Sequence, residues 1–455
     1  MASNADLAQK SSMSDVQKDL YECEDESEVG FPFANDQRKS MSYFPESTMI
    51  SGVAEGNKFK FNMDLHGKHH LLIASSLNFK TPAISVKENF RGDYRIRWGA
   101  DLGFNIVESA SLQIDGDDFQ TLTASAMKHA EQFCFLGTSD SESKRRIMSQ
   151  SNGNDPSLVT WSSSLPEFDI ISEQPWFYSR GTIIAMPLRA LYAGLYFQID
   201  QLYMFDLDIS HFLCIQYRDE TGEWIDVPFR ANQQILEGLP QNCRLPVPYI
   251  RGEYIHLGNE AVEYLNECSE KRFREFIVPV FNTYVSKDTK GPGGSLSVEI
   301  VNNHPCSALM WSLRNQTRKR FGDVSYYTTK FRNPIKDCTL SFHDNNTKKY
   351  LFQDTPISQF SRGPHIRKFP SAPNMPGMNG WSIALDSGSL DVDSTFAFIS
   401  DRRSSFSCRI EDCLPDEEEC EFTLELTAIE LRKFSIQIVE ETEDKPKRFK
   451  FVIQN

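Results

Sequence analysis

The sequence has no run of about 18 consecutive apolar residues, the length a membrane-spanning helix needs. Its first residues, MASNADLAQKSSMSD, also contain no apolar core of a secretory signal peptide. From these two absences we expect a soluble protein that is made in the cytosol.

Positive charge is also in short supply. The 455 residues include 48 Lys and Arg against 63 Asp and Glu, which gives a formal net charge of −15. Proteins that coat nucleic acids neutralise phosphates with clustered Lys and Arg and release counterions. The sequence therefore predicts no direct contact with nucleic acid.

The chain has no CxxC pair, although it contains ten cysteines. These cysteines are scattered singly, and the spacing of Cys408, Cys413 and Cys420 matches no common zinc pattern. The one histidine cluster, His66 to His70, has no cysteine or carboxylate partner at metal-like spacing. We expect mostly reduced, buried thiols and no metal site.

Motifs for nucleotide binding and for nucleophilic catalysis are missing as well. The sequence contains no GxGxxG and no GxSxG, and the glycine-rich segment 291–295 (GPGGS) lacks the lysine of a phosphate-binding loop. We therefore predict no cofactor and no enzymatic activity. Two carboxylates facing each other in a cleft, as in a glycosidase, stay open as an alternative, because no spacing in the sequence selects or excludes such a pair.

The sequence is rich in aromatic residues, which favour β-sheets. It contains 33 Phe and 15 Tyr, and aromatic residues favour half-buried strands. Apolar and polar residues alternate strictly in residues 58–65, 94–98 and 110–114, which predicts strands with one buried face. The last of these segments ends at Asp115-Gly116, a dipeptide typical of a hairpin turn.

The longest apolar segment spans residues 174–200, beginning with Pro175, Trp176 and Phe177. Its charged, proline and glycine residues argue against a membrane span. It predicts two buried strands joined by a turn, which close the first sandwich. Trp176 and Phe177 would fill the core, and Pro187 would lie at a strand edge or bulge, where no backbone donor is needed.

Other patterns divide the chain into regions. We predict an acidic N-terminal arm (1–45), a first sandwich (46–235), a proline-rich linker (236–250) and a second sandwich (251–455). Short helices are expected over residues 124–135 and 259–276, and the proline-rich residues 356–376 are expected to form an exposed tower or lid. Residues 105–115 align weakly with 333–343, which indicates that each half contains the same strand in the same place.

Several motifs, in the same order along the chain, resemble those of the double jelly-roll major capsid proteins of the nucleocytoplasmic large DNA viruses, which include iridoviruses, phycodnaviruses and asfarviruses. The resemblance covers residues 59–399. Residues 249–257 resemble the strand that opens the second half in this family. The other residues that carry the resemblance are Asn105, Leu112, Gly116, Pro175, Trp176, Phe177, Pro187, His304, Pro305, Trp311 and Trp381.

This resemblance implies an all-β protein of two tandem eight-stranded jelly rolls with short helices in loops. It further implies a homotrimeric, pseudo-hexagonal capsomer that tiles an icosahedral shell after assembly in the host cytoplasm. The implied partners are neighbouring capsomers, penton and minor capsid proteins, and an internal membrane layer. A minor capsid or scaffold paralogue, and a double jelly-roll hydrolase or carbohydrate-binding protein, are the alternatives.

Overall fold

A computed structural model describes residues 43–454 of the protein. Gaps in the described part lie at 51, 56–57, 64–70, 115, 135–152, 175, 177, 180–181, 184–185, 188, 191–194, 197–198, 258–274, 302–303, 324–331, 345–346, 374–375, 385–395, 398–403, 413–419 and 443–444. The predicted N-terminal arm, the histidine cluster and the predicted helix at 259–276 therefore lie almost wholly outside the described residues.

Strands dominate both halves of the chain. The first half contains β1 (Tyr43–Ile50), β2 (Val53–Glu55), β3 (Lys58–Asn62), β4 (Leu71–Thr81), β5 (Ile84–Val86), β6 (Tyr94–Trp98), β7 (Val107–Ile114), β8 (Asp117–Leu122), β9 (Ser164–Leu165), β10 (Phe168–Glu173), β11 (Tyr178–Ser179), β12 (Thr182–Ile183), β13 (Met186–Pro187), β14 (Arg189–Ala190), β15 (Leu195–Tyr196), β16 (Ile199–Phe205), β17 (Leu213–Arg218), β18 (Trp224–Val227), β19 (Leu236–Glu237) and β20 (Tyr249–Leu257). The second half contains β21 (Glu275–Val285), β22 (Ser295–Ile300), β23 (Pro305–Asn315), β24 (Ile335–Asp344), β25 (Thr347–Pro356), β26 (Asn379–Ser382), β27 (Phe396–Ala397), β28 (Ser404–Ile410), β29 (Phe422–Thr442) and β30 (Lys445–Gln454).

Helices are short and lie in the connections between strands. The α-helices are α1 (Leu102–Asn105), α2 (Ala124–Phe133), α3 (Pro156–Val159), α4 (Phe229–Asn232), α5 (Gln316–Lys319) and α6 (Ser358–Ser361). Single 3-10 turns occur at Glu88–Phe90, Ile209–His211, Gln233–Ile235, Gln241–Cys243 and Pro364–Lys368. None of the helices in the described ranges is long and apolar enough to cross a membrane.

The two halves repeat one sheet topology. In the first half, β1-β20-β4-β10 form one sheet and β3-β16-β7-β8 the other; in the second half the sheets are β21-β29-β23-β26 and β22-β28-β24-β25. When the eight main strands of each half are numbered along the chain, both halves have the orders 1-8-3-6 and 2-7-4-5. Two four-stranded antiparallel sheets connected in this way form a jelly roll. The predicted fold class is therefore confirmed.

Strand β20 completes the first jelly roll. Its residues pair with β1 on one side and with β4 on the other, for example Ile250 with Ile50 and with Leu77. The sequence-based division had placed most of this strand after a linker, at the start of the second half. Its hydrogen bonds place it in the first half instead, since a strand's own pattern does not specify which edge it joins. We therefore propose that the boundary lies after Leu257.

Local patterns in the first half match the predicted strands. In β7, Ala110, Leu112 and Ile114 are buried, and the hairpin to β8 turns at Gly116, whose φ is +86°. The aligned strands β7 and β24 are both the fourth strand of their jelly roll. The internal repeat predicted from the sequence is thus present in the structure.

The described residues of the segment 356–376, predicted as an exposed tower or lid, are instead anchored to the protein. Helix α6 and the following 3-10 turn bury Phe360, Ile366 and Phe369, which are at most 7% exposed. The abundance of proline and polar residues indicated an exposed loop, but three apolar side chains anchor this segment to the protein.

Candidate functional site: the interface between the jelly rolls

Helix α2 belongs to the first jelly roll but lies against the second. The side chain of Thr123 caps its N-terminus by accepting a hydrogen bond from the backbone of Ala126 at 3.2 Å. Nine of its ten residues are buried, including Lys128, His129 and Glu131. Such burial of polar residues on every side of a short helix indicates that it is enclosed by protein.

The surface that receives α2 is the outer face of the sheet formed by β23 and β29. One face of these strands fills the core of the second jelly roll with Leu309, Trp311 and Leu424, among others. The opposite face carries Met310, Ser312, Arg314, Thr423, Glu425, Thr427 and Ile429. All of these except Arg314 are buried. Because both faces are covered, the polar residues of this outer face belong to an internal interface.

His129 joins the two jelly rolls at the centre of this interface. Its Nδ1 lies 2.8 Å from the Thr427 hydroxyl and its Nε2 lies 3.0 Å from the Ser312 hydroxyl. Burial, together with the positive charges of Arg314 and Lys128, lowers the pKa of His129 to about 3. The imidazole is therefore neutral at pH 7, with one ring nitrogen donating and the other accepting.

A buried ion cluster lies on the other side of α2. The Nζ of Lys128 is 2.5 Å from Asp101 Oδ1 and 2.7 Å from Glu131 Oε2. Burial lowers the pKa of Lys128, but the two carboxylates raise it by more, so that the net shift is upward. The resting cluster is therefore an ammonium between two carboxylates.

Ion pairs close the interface at its edge. The Arg97 guanidinium lies 2.6 Å from Asp323 Oδ2, and Arg318 pairs with Asp226. Between them, Gly322 has a φ of +82°, and a Cβ there would lie 2.4 Å from the backbone oxygen of Leu213. A glycine is required at this position because the two backbones touch.

The segment after β25 covers the C-terminal end of α2. The rings of Phe133 and Phe369 lie 4.8 Å apart. Ser371 donates from its hydroxyl to Gln132 O at 2.5 Å and from its backbone to Phe133 O at 3.1 Å. These bonds satisfy helix carbonyls that have no partner within α2.

Several of the residues predicted from the sequence pack in the two jelly rolls. In the first half, Leu112 and Trp176 belong to the core, and Asn105 donates to Ala100 O at 2.9 Å. Pro187 lies in β13, which pairs with the end of β4. Pro175 and Phe177 lie outside the described residues.

In the second half, the predicted residues lie along β23 and β26. His304 and Pro305 stand at the beginning of β23 and are half-buried. Trp311 is fully buried, and Trp381 packs with its ring 5.2 Å from that of Phe352. The structure does not bring these residues together with those of the first half, so their role as a common signature stays a prediction.

The interface residues were not predicted from the sequence. Lys128, His129 and Glu131 occur on a short helix, where charged residues usually face solvent. In β29, the residues Thr423, Glu425 and Thr427 are polar and occupy alternate positions. This pattern is typical of a strand face that is exposed to solvent. Their contacts with His129, Gln316 and Arg314 show that they are enclosed.

The described residues contain no group of three or more His, Cys, Asp or Glu that could hold a metal ion. Seven cysteines in these ranges are free thiols, and six of them are buried. Burial raises the pKa of Cys134 and of Cys214, which keeps both thiols protonated.

Solved structures with the same arrangement of strands exist. PBCV-1 VP54, fitted into a cryo-EM reconstruction of the virophage Sputnik, matches with a TM-score of 0.60 at 12% identity, over 89% of this chain and 97% of its own. The chain has a double jelly-roll fold. A quasi-atomic model of the PBCV-1 virus capsid matches this double jelly roll with a TM-score of 0.59 at 12% identity, over 88% and 96% of the two chains.

The Faustovirus major capsid protein is a further double jelly roll of this kind, with a TM-score of 0.58 at 9% identity over 86% of this chain and 90% of its own. No protein-family profile and no curated protein matches the sequence. The fold that the sequence resemblance implied is therefore confirmed by structure, at identities too low to transfer the roles of individual residues.

Proposed function

We propose that this protein is a structural capsid protein whose double jelly rolls assemble into homotrimeric, pseudo-hexagonal capsomers. The proposal is supported by the likeness to the PBCV-1 capsid and to the Faustovirus major capsid protein over nearly the whole chain. Three copies supply six jelly rolls, and six similar units fit a hexagonal outline. The role needs rigidity and no catalysis, so the protein is not an enzyme.

The proposal of a trimer rests on a difference between the fifth strands of the two jelly rolls, β8 and β25. In the first jelly roll, the fifth strand, β8, lies beside β21 and buries Phe119, Gln120 and Leu122. The fifth strand of the second jelly roll is β25, and none of its ten residues is buried. Tyr350 and Leu351 are 44% and 36% exposed. Among the described residues, β25 lacks the kind of neighbour that β8 has.

A second copy of the chain supplies that neighbour. Within one chain, strand 5 of the first jelly roll meets strand 1 of the second. Repeating the contact between chains brings β1 of one copy to β25 of the next, which is a head-to-tail association. Such contacts form a ring if the rotation closes. With two jelly rolls per chain and six per ring, closure requires three copies.

The proposed capsomer tiles an icosahedral shell within the virion, after synthesis and assembly in the host cytoplasm. Its partners there are neighbouring capsomers, penton and minor capsid proteins, and an internal membrane layer. Nucleic acid is not a direct partner, in keeping with the net charge of −15.

Light scattering on the purified full-length protein tests the proposal. The expected species has three times the chain mass of 52.1 kDa, and electron micrographs should show a roughly hexagonal outline. A species of one chain mass would contradict the proposal and favour a hydrolase or carbohydrate-binding protein. A trimer that is absent from purified virions by mass spectrometry would instead be an assembly scaffold with the same fold.

A further inference from the structure

The ion cluster on α2 places the Lys128 ammonium beside two acidic side chains, one with a carboxyl carbon within reach and one that can take a proton from the nitrogen. Lys128 Nζ lies 2.5 Å from Asp101 Oδ1 and 2.7 Å from Glu131 Oε2, and the three side chains are at most 2% exposed. The carboxyl carbon of Asp101 is one bond beyond Oδ1. The amine is thus close to the near-attack separation of about 3–3.5 Å.

Asn154 orients the Asp101 carboxyl group. Its amide nitrogen donates to Asp101 Oδ1, and its amide oxygen accepts from the Asp101 backbone at 2.9 Å. Oδ1 therefore accepts from both Lys128 and Asn154, whereas Oδ2 has no hydrogen-bond partner among the described residues. Because Nζ becomes the attacking atom, Asn154 is the donor that stays on Oδ1 and stabilises the charge that develops there during addition to the carbon. Oδ2 is then the oxygen that leaves as water.

The charges of the cluster favour a reaction that removes two of them. Lys128, Asp101 and Glu131 together carry one net formal negative charge in a dry interior, since each of the three side chains is at most 2% exposed. Holding separate charges in such a place has a large desolvation penalty. An amide between Lys128 and Asp101 would replace an ammonium and a carboxylate by a neutral group. The exclusion of water opposes the reverse hydrolysis.

We propose that Lys128 and Asp101 become joined by an isopeptide bond and that Glu131 carries the protons. Glu131 accepts a proton from Nζ, and the freed electron pair attacks the Asp101 carboxyl carbon to form the C–N bond. Once the C–N bond has formed, Nζ and Oδ2 are attached to the same carbon, so Glu131, which lies beside Nζ, passes two of the three Nζ protons to Oδ2; the C–Oδ2 bond then breaks and water leaves. The third proton stays on the amide nitrogen, and Glu131 ends as a carboxylate. No oxidant or other reactant is required.

The bond would fasten the chain just before α1 to the middle of α2. Because α2 lies against the second jelly roll, the crosslink would hold fixed the element that joins the two halves. This inference does not depend on trimer formation.

Mass spectrometry of the denatured full-length protein tests the inference. The expected mass is lower than the sequence mass by one water molecule, after allowance for removal of the first methionine. Tryptic digestion should leave the bond after Lys128 uncut and yield a branched peptide that contains Asp101. A chain of full sequence mass that is cut after Lys128 would overturn the inference, as would a water loss located at any other pair.

Two variants and an internal control sharpen the test. Glu131→Gln keeps the shape of the side chain but cannot carry the proton, so the mass deficit should vanish. A deficit that persisted in this variant would overturn the role of Glu131. Asp101→Asn should still crosslink, now with loss of ammonia in place of water, and loss of water would contradict the attack on this carbon. The pair of Lys80 and Glu167, 2.9 Å apart but about 60% exposed, should stay unlinked.

Discussion

The two jelly rolls have the same strand order but differ in how their cores are bounded. Among the described residues, every member of the second core comes from residues 296–428. The first core also takes in residues of the second half, among them Phe281, Met310, Phe369 and Ile429. The second jelly roll is thus packed from its own strands, whereas the first is completed by its neighbour.

The same contrast appears at their fifth strands. β8 lies beside the second half and has buried residues, whereas none of the residues of β25 is buried. Both differences fit the proposed head-to-tail ring, in which each jelly roll packs against the next one. Within the chain, one jelly roll packs against the next in this way once. Between chains, the same packing is our proposal.

Removing one tryptophan from each core should have the largest effect. Trp176 is 3% exposed and Trp311 is fully buried, and each change to Ala should cost about 3–5 kcal/mol of unfolding free energy. Hydrogen exchange should show lost protection in both halves for Trp176→Ala, and mainly in the second half for Trp311→Ala, whose ring touches Phe360 and Phe406. An unchanged melting temperature for Trp176→Ala would argue against its place in the shared core.

Acid should weaken the interface through His129. Its pKa is lowered from 6.5 to about 3 in the folded protein, so below pH 6.5 the unfolded chain binds the proton more readily. Stability from this group is complete above pH 6.5 and is lost as the pH falls towards 3, by at most about 1.4 kcal/mol per pH unit.

Urea unfolding at a series of pH values measures this loss. His129→Gln keeps a polar side chain that does not titrate, so its stability should depend less on pH between 6.5 and 4. Equal slopes for the two proteins would show that His129 is not buried in the neutral form between the jelly rolls.

The ion pair between Arg97 and Asp323 should have an intermediate effect. Its side chains are 18% and 11% exposed, so Asp323→Ala leaves a poorly hydrated guanidinium and should cost about 1.5–3 kcal/mol. The exposed pair of Lys80 and Glu167 offers a matched control, since Glu167→Ala should cost at most about 1 kcal/mol. Similar losses in urea unfolding would mean that the edge of the interface is solvated.

Charges placed on β25 should have the smallest effect on folding. Tyr350→Asp with Leu351→Asp alters exposed side chains, so each chain should keep its unfolding free energy within about 0.5 kcal/mol per substitution. The trimer should nevertheless dissociate, because carboxylates would then face the next copy. Ile225→Asp, at a side chain 49% exposed on β18, is the control and should leave the trimer intact. If the double variant still forms trimers, β25 is not part of the contact between chains.

Elements that depend on local chemistry could be predicted from the sequence. The alternation in β7 and the hairpin at Gly116 follow from side-chain period and backbone freedom. Helix α2 was predicted over residues 124–135 and spans Ala124–Phe133. The repeat of strand 4 and the order of family-like motifs predicted the tandem jelly rolls.

Elements that depend on distant partners could not be predicted in this way. β20 has the pattern of any half-buried strand, and its partners β1 and β4 lie about 170 to 210 residues away along the chain, so its assignment to the first half required the hydrogen bonds. The polar residues of α2 and β29 have the pattern of solvated faces, and only contacts such as that between His129 and Thr427 show that they are enclosed. The burial of Phe360 and Phe369 could not be predicted either, because the proline-rich composition of their segment is typical of an exposed loop.

Native mass spectrometry of the full-length protein at neutral pH tests the central claim most directly. We predict a closed assembly of three chains. This assembly should dissociate into single folded chains when Tyr350 and Leu351 are both changed to Asp. A wild-type protein that remains a single chain at micromolar concentration would contradict the account.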